Sequence, residues 1–276
     1  RSIGFNSVFG GKPVVDVEYC PIATEPVNLM LPDVRKQERE RDPLHNKDKT
    51  LFLRETLRLN HKTGEHHKGC ITDPKRVCTT RINKRMYQFE AGEFFQNNDY
   101  ILPEVIDYIK YQIEQSGEID SLVDTYCGSG FFGIVLADFV KGKIFGVEVS
   151  EKAIKYADHN SKLNGLHAHS EYIADNSNKM FQSEAFKKAN INGENAVVII
   201  DPSRKGSSEA FMNDLLDFGP KLIVYVSCNV FSQARDLAYF AKIQAPTLKY
   251  KVREVVGFDF FPQTRHVETV AILERM

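Results

Sequence analysis

From Leu102 onward, short runs of uninterrupted apolar residues alternate with longer stretches of helical period. The runs are Ser121-Leu-Val-Asp124, Lys143-Ile-Phe-Gly-Val-Glu148, Val197-Val-Ile-Ile-Asp201 and Leu222-Ile-Val-Tyr-Val-Ser227. Strands without polar alternation are buried on both faces, and helical spacers between them imply right-handed βαβ crossovers in a parallel sheet. The pattern predicts a Rossmann-like α/β domain over residues 96–276, ending in two strands within Phe258 to Leu273 that turn at Pro262. In such a sheet, ligands gather at the carboxyl ends of the strands.

Residues 1–95 read differently. Short apolar pieces (Val14 to Val17, Leu51 to Leu59, Thr79 to Ile82, Met86 to Phe89) are separated by turn chemistry such as Lys62-Thr63-Gly64. This predicts a smaller region rich in β-hairpins, with one charged helix near Leu31 to Arg41. The chain opens on Arg1-Ser2-Ile3-Gly4 without a leading Met, so a trimmed start with upstream domains missing is expected.

Composition narrows the class. With 276 residues, 42% hydrophobic and 26% charged, the chain is that of an ordinary globular protein, and no apolar run approaches the ~20 residues of a membrane span. Its five cysteines, Cys20, Cys70, Cys78, Cys127 and Cys228, include no C-x-x-C pair. Neither a disulfide framework nor a metal site is indicated, which points to a reducing, intracellular compartment. A net charge of -1 does not advertise nucleic acid, so any RNA-binding charge must be local. Candidates are Arg35, Lys36, Arg39 and Arg41, diluted by Glu38, Glu40 and Asp42, and the stronger stretch Lys75, Arg76, Arg81, Lys84 and Arg85.

The first strand runs into Asp124-Thr-Tyr-Cys-Gly-Ser-Gly-Phe-Phe-Gly133, whose glycines let backbone approach a ligand before a helix opens at about Gly133. Gly128, Gly130 and Gly133 also satisfy the dinucleotide spacing, so the loop alone does not decide the cofactor. Asp124 precedes the glycines, where a carboxylate repels a phosphate but suits the cationic methionine end of S-adenosylmethionine. Glu148, ending the second strand, is placed for two ribose hydroxyls, and Asp175 after the third for an adenine amino group.

Three further clusters fall at later strand ends: Asp201-Pro-Ser-Arg-Lys-Gly206, Ser227-Cys-Asn229 followed by Ala234-Arg-Asp236, and Phe261-Pro-Gln-Thr-Arg-His-Val-Glu268. Cys228 directly after a buried strand sits where a thiolate can be exposed, although a lone cysteine there is commonly inert. Uracil C5 is a poor nucleophile until a thiolate adds to C6, after which a base must remove the C5 proton. Glu268 is a candidate for that base, or an ordinary strand glutamate.

At this point the chain resembles the RNA uracil-5-methyltransferases that form 5-methyluridine, and within them the fungal-type tRNA branch. The resemblance covers nearly the whole chain. It rests on Phe94-Phe-Gln-Asn97, Asp124 to Gly130, Gly146-Val-Glu148, Asp201 to Gly206, Tyr225-Val-Ser-Cys-Asn229 with Ala234-Arg-Asp236, and Asp259 to Glu268. It implies an S-adenosylmethionine-dependent methyltransferase domain, with Cys228 as nucleophile and Glu268 as proton acceptor. Gln96, Tyr126, Phe131, Glu148 and Asp201 are implied to line the S-adenosylmethionine site, and Asp175 to fit the adenine position; no metal is implied. The region before Gln96 corresponds to the family's RNA-contacting central domain. The implied partner is RNA, tRNA first, handled by a monomer in cytoplasm or nucleus rather than mitochondrion.

Two positions depart from the family. Ser203 stands where a second proline is usual, and Val230 where proline follows Ser-Cys-Asn. A cysteine cluster near the start, carried by iron-sulfur members, is absent, which favours the tRNA branch over the ribosomal-RNA branch. Competing readings are a ribosomal-RNA uridine enzyme, an N6-adenine methyltransferase (disfavoured by Arg204 in the place of an aromatic), a catalytically silent RNA-binding module, and a dinucleotide oxidoreductase. Phe94, Phe95 and Phe261 are candidates for base stacking, Arg204 and Lys205 for phosphate contact, and Arg235 for holding the Cys228 loop.

Overall fold

A computed structural model describes residues 2–7, 14–40, 50–244 and 248–276. Arg41 and Asp42, named above, lie outside the described residues. The chain divides into two compact units, Arg1–Thr80 with Glu90–Glu93, and Arg81–Phe89 with Phe94–Met276.

The first unit holds the strand pair β1 (Gly4–Asn6) and β2 (Val14–Asp16), helix α1 (Glu25–Glu40), and the hairpin β3 (Arg54–Leu59) and β4 (His66–Ile71). Helix α1 starts well before the expected Leu31. Pro26 presets φ in its first turn, and Pro32 is carried inside the helix, where it removes one ladder hydrogen bond. Arg35 is not available as an RNA contact. It is 4% exposed and donates to both carboxylate oxygens of Asp16 at 3.0 Å and to the carbonyls of Ile3 and Val17, fastening the strand pair to α1. That guanidinium holds the Asp16 carboxyl down at about 2. In the β3–β4 hairpin, Asn60 Oδ1 accepts from the Lys62 amide and Gly64 takes φ +73°, so the expected turn forms at Lys62-Thr63-Gly64.

Strands β5 (Val77–Ile82) and β6 (Arg85–Glu90) pair, turning at Asn83 in the left-handed region. The second unit continues with α2 (Leu102–Gln115), β7 (Ser121–Asp124), α3 (Phe131–Val135), β8 (Ile144–Glu148), α4 (Glu151–Leu163), β9 (Ser170–Ala174) and α5 (Glu184–Ala189). It ends with β10 (Ala196–Ile200), α6 (Glu209–Phe218), β11 (Leu222–Ser227), α7 (Val230–Ile243), β12 (Tyr250–Phe258) and β13 (Glu268–Arg275).

These last seven strands form one sheet in the order β12-β13-β11-β10-β7-β8-β9. The five from β7 to β11 are parallel, while β13 runs antiparallel to β11 and β12 antiparallel to β13, so the sheet is mixed rather than parallel. Every residue of β7, β10 and β11 is buried, as the uninterrupted apolar runs require. Fully buried side chains such as Phe145 each contribute roughly 2–3 kcal/mol of apolar burial. The penultimate strand is not within Phe258 to Leu273 as expected; it ends at Phe258, and residues 259–267 form the connection that contains Pro262. At the edge of the sheet, β12 has a largely exposed, charge-mixed pattern that apolar runs do not reveal. The strand order reverses between β7 and β10, which makes the carboxyl edge there the switch point at which such sheets bind ligands.

Candidate functional site

Asp124 ends β7 between Gly146 of β8 and Ile199 of β10, with no exposed surface. The Gly133 amide donates to its Oδ2 (3.3 Å), while Oδ1 is buried with no partner. Burial pushes this carboxyl up to about 7 against the pull of the Gly133 and Tyr126 amides, and the Glu148 charge adds to the rise. The following turn needs its glycines: Gly128 has φ +52° and Gly130 φ +85°, and a Cβ at Gly128 would point into open space. Helix α3 starts at Phe131, two residues earlier than the expected Gly133, because Gly130 itself is the N-cap.

Four strand ends lie side by side along this edge. Asp175 follows β9, Glu148 ends β8, Asp124 ends β7 and Asp201 follows β10. The spacing of neighbouring strands makes this row on the order of 14 Å long. The Asp175 amide donates to the Glu148 carbonyl (3.1 Å), and Glu148 Oε1 accepts from the Ser150 amide (3.0 Å). Asp201 is pushed well above the ordinary carboxylate range by desolvation, then by the charges of Glu268 and Asp124. A row of acids in which Asp124 feels the charge of Glu148 and Asp201 that of Asp124, and in which one acceptor atom is orphaned, suits an extended ligand that brings a positive charge and several donors. The residues present therefore fit S-adenosylmethionine.

Cys228 lies close enough to Glu268 and Asp201 for both charges to act on its thiol. Ser227 pairs with Thr269 in the β11–β13 ladder, so the next positions along, Cys228 and Glu268, stand opposite each other. The Thr269 hydroxyl donates to the Ser227 carbonyl (3.2 Å), and the amide of Gln233 on α7 donates to the Tyr225 carbonyl (2.8 Å). These bonds hold the backbone around Cys228. Its thiol is pushed up by burial, then by Glu268 and Asp201, and drawn down by Arg204, which lies within hydrogen-bonding reach. Glu268 is 3% exposed, and burial raises its carboxyl to about 7, opposed by Arg204. The pair thus combines a half-buried thiol with a carboxylate that exchanges its proton near neutrality, the property a general base needs.

The remaining expected positions are less uniform. Gln96 is half-buried in the segment between β6 and α2, which Asn98 ties to the connection before β13 by donating to the Phe260 carbonyl (3.2 Å). The Tyr126 ring packs at a tilt on Phe211 and lines a cavity of about 590 Å³ with Ser203, Lys205, Ser207, Arg235 and Asp236. The Phe131 ring is 6% exposed and packs against Phe95, Tyr87 and Phe132, leaving its backbone at the start of α3. Phe95 belongs to that same buried cluster and is not available for stacking, whereas Phe94 is 74% exposed. Lys75, Arg76, Arg81 and Lys84 are exposed, and Arg85 pairs with Asp138 at 2.6 Å. Among the described residues, no group of three or more His, Cys, Asp or Glu side chains is placed to hold a metal, and no helix is long and apolar enough to cross a membrane.

The sequence model of the family described as tRNA (Uracil-5-)-methyltransferase matches residues 68–276. The chain belongs to this family. It is 33% identical, over 97% of its length, to the tRNA (uracil(54)-C(5))-methyltransferase of Saccharomyces cerevisiae, covering 46% of that protein. It is 34% identical, over 99% of its length, to the enzyme of the same name from Schizosaccharomyces pombe, covering 50%. The chain therefore spans about half the length of these curated relatives. Its fold is similar to that of Pyrococcus abyssi tRNA (uracil-54, C5)-methyltransferase, solved in complex with S-adenosyl-L-homocysteine. The TM-score is 0.72 at 24% identity, covering 99% of this chain and 72% of that one.

Every candidate site residue from Gln96 to Glu268 falls inside the stretch matched to the tRNA (uracil-5-)-methyltransferase family. Sequence reasoning missed Asn160, which is fully buried on α4. Its amide accepts from the Gln88 amide (2.7 Å) and donates to the carbonyls of Gln88 and of Ser129 in the glycine-rich turn (3.0 Å each). Asn160 and Asn164 share one helix face, a pattern indistinguishable from a solvated one until β6 is seen to pair with both.

Proposed function

We propose that this chain carries the catalytic part of an S-adenosylmethionine-dependent tRNA uridine C5 methyltransferase acting on the T-loop uridine. The observation that supports the reading most directly is the facing pair Cys228 and Glu268 at the end of the β11–β13 ladder, beside the row of acids. S-adenosylmethionine, the co-substrate, supplies an electrophilic methyl group. Glu148 would hold its ribose, Asp124 and Asp201 its cationic end and Asp175 its adenine, with Gln96, Tyr126 and the Phe131 turn completing the site.

Cys228 as thiolate adds to C6 of the uracil, moving the ring electrons to C5 and the O4 enolate. C5 then attacks the methyl group, whose bond to the sulfonium sulfur breaks and leaves the thioether S-adenosylhomocysteine. Glu268 removes the remaining C5 proton, the C5–C6 double bond re-forms, and the bond from sulfur to C6 breaks to return the thiolate. Arg204 favours the thiolate form, which burial and two nearby carboxylates oppose. The base must leave its stack to reach a residue recessed at a sheet edge, so the uridine is presented extruded. Exposed Lys75, Arg76, Arg81 and Lys84 are the proposed phosphate contacts. The reading extends to a monomer, and to a reducing cytoplasmic or nuclear environment, in which five free cysteines stay reduced.

The test is incubation with S-adenosylmethionine and tRNA containing 5-fluorouridine, whose C5 substituent Glu268 cannot remove as a proton. A denaturation-resistant protein–RNA adduct that is absent in Cys228→Ala is expected. No adduct, with S-adenosylmethionine binding intact, overturns the reading.

A further inference from the structure

One buried carboxylate outside the row of acids collects an unusual set of partners. Asp236, on α7, is 3% exposed. Its Oδ2 accepts from the Tyr225 hydroxyl (2.6 Å) and the Ser207 amide (2.7 Å), and its Oδ1 from Arg235 Nε (2.9 Å) and a terminal guanidinium nitrogen (2.6 Å). Tyr225 lies on β11, the strand that delivers Cys228, and Ser207 closes the loop that follows Asp201.

The same loop is held at two further points. Arg235 donates to the Lys205 carbonyl (2.7 Å), and Asn229, the N-cap of α7, donates to the Arg204 carbonyl (3.0 Å). Gly206 takes φ +76°, and a Cβ there would lie 2.4 Å from Asp236 Oδ2, so the loop approaches the carboxylate as closely as backbone permits. The loop's side chain that matters most at the thiol is Arg204. The groups that act on the Cys228 thiol are the acids Glu268 on β13 and Asp201 after β10, which oppose its ionisation, and Arg204, which favours it. Arg204 is itself exposed, so its place is set by its backbone.

We infer that Asp236 is a positioning residue: by clamping Ser207 and Arg235 to Tyr225, it holds the loop that keeps Arg204 at Cys228 and Glu268. Its hydrogen bonds go to Tyr225, Ser207 and Arg235, and it acts through them. The inference rests on the proposed role of Cys228, but its consequence is visible without RNA. With Arg204 loosened, the thiol loses the charge that favours its ionised form, and Cys228 becomes less reactive at neutral pH.

The experiment compares the full chain with Asp236→Asn, which keeps the side chain's size and loses the charged pairing with Arg235. Iodoacetamide alkylation of the Cys228 peptide is followed by mass spectrometry from pH 6 to 10. A displacement of the profile to higher pH, with a rate at neutral pH about threefold lower or more, is expected. A profile superimposable on the parent overturns the inference. Where Asp236→Asn does not fold, Arg235→Ala decides by the same two outcomes, since that largely exposed side chain can be removed without opening the core. In methyl transfer, kcat falls while KM for S-adenosylmethionine holds. Because alkylation needs no RNA, a displaced profile without methyl transfer by the parent would sink the proposed function and leave the positioning role standing.

Discussion

Cys228, the residue after β11, and Glu268, the first of β13, each stand one step beyond the Ser227–Thr269 pair, although α7 and the edge strand β12 lie between them in the chain. This neighbourhood raises the proton affinity of both groups: burial acts first on each, and the Glu268 charge acts on the thiol.

Glu268→Gln removes the base while keeping the side chain's shape. The expected product is a methylated covalent adduct with ordinary uridine-containing tRNA, seen as a band of retarded mobility that survives denaturation. Continued turnover would remove Glu268 from the role. In the parent, the rate of the proton-removal step should climb as pH rises through about 7, because the carboxyl must be ionised to act. A single-turnover rate flat between pH 6 and 8 would contradict this.

Stability should move the opposite way with pH. Asp124 and Glu268 both have carboxyls raised to about 7, so at intermediate pH the folded chain keeps protons that the unfolded chain has released. Their contribution is intact below the ordinary carboxylate range and lost as pH rises through about 7, on the order of 3 kcal/mol each. Thermal melts of the ligand-free protein should give a lower midpoint at pH 8 than at pH 5, with a smaller difference in Glu268→Gln.

Glu148→Ala tests the cofactor row. Losing a charged acceptor for ribose hydroxyls should weaken S-adenosylhomocysteine binding about tenfold or more, read by titration calorimetry. Equal affinity in mutant and parent would take Glu148 out of the site.

Asn160→Ala strips the partners from the Gln88 backbone and the Ser129 carbonyl together. A loss of about 2–4 kcal/mol in denaturant unfolding is expected, because buried backbone groups are left unpaired. S-adenosylhomocysteine should also bind more weakly, since the turn after Asp124 loses its anchor. A variant as stable as the parent would show that water replaces the amide.

The amino-acid sequence by itself determined the central strands and what lies at their ends. Strands β7, β8, β10 and β11 were legible because burial on both faces demands unbroken apolar runs, and Asp124, Glu148, Asp201 and Cys228 were placed by counting to the end of each run. Tertiary structure alone decided the rest. Edge strand β12 carries no such run, and the early start of α1 depended on a proline accepted inside a helix. Arg35 reads as a surface cation until Asp16 is folded against it, and Asn160 as solvated until β6 pairs with it. That Glu268 faces Cys228 followed from the antiparallel register of β13 on β11, a long-range pairing whose partners no local pattern specifies.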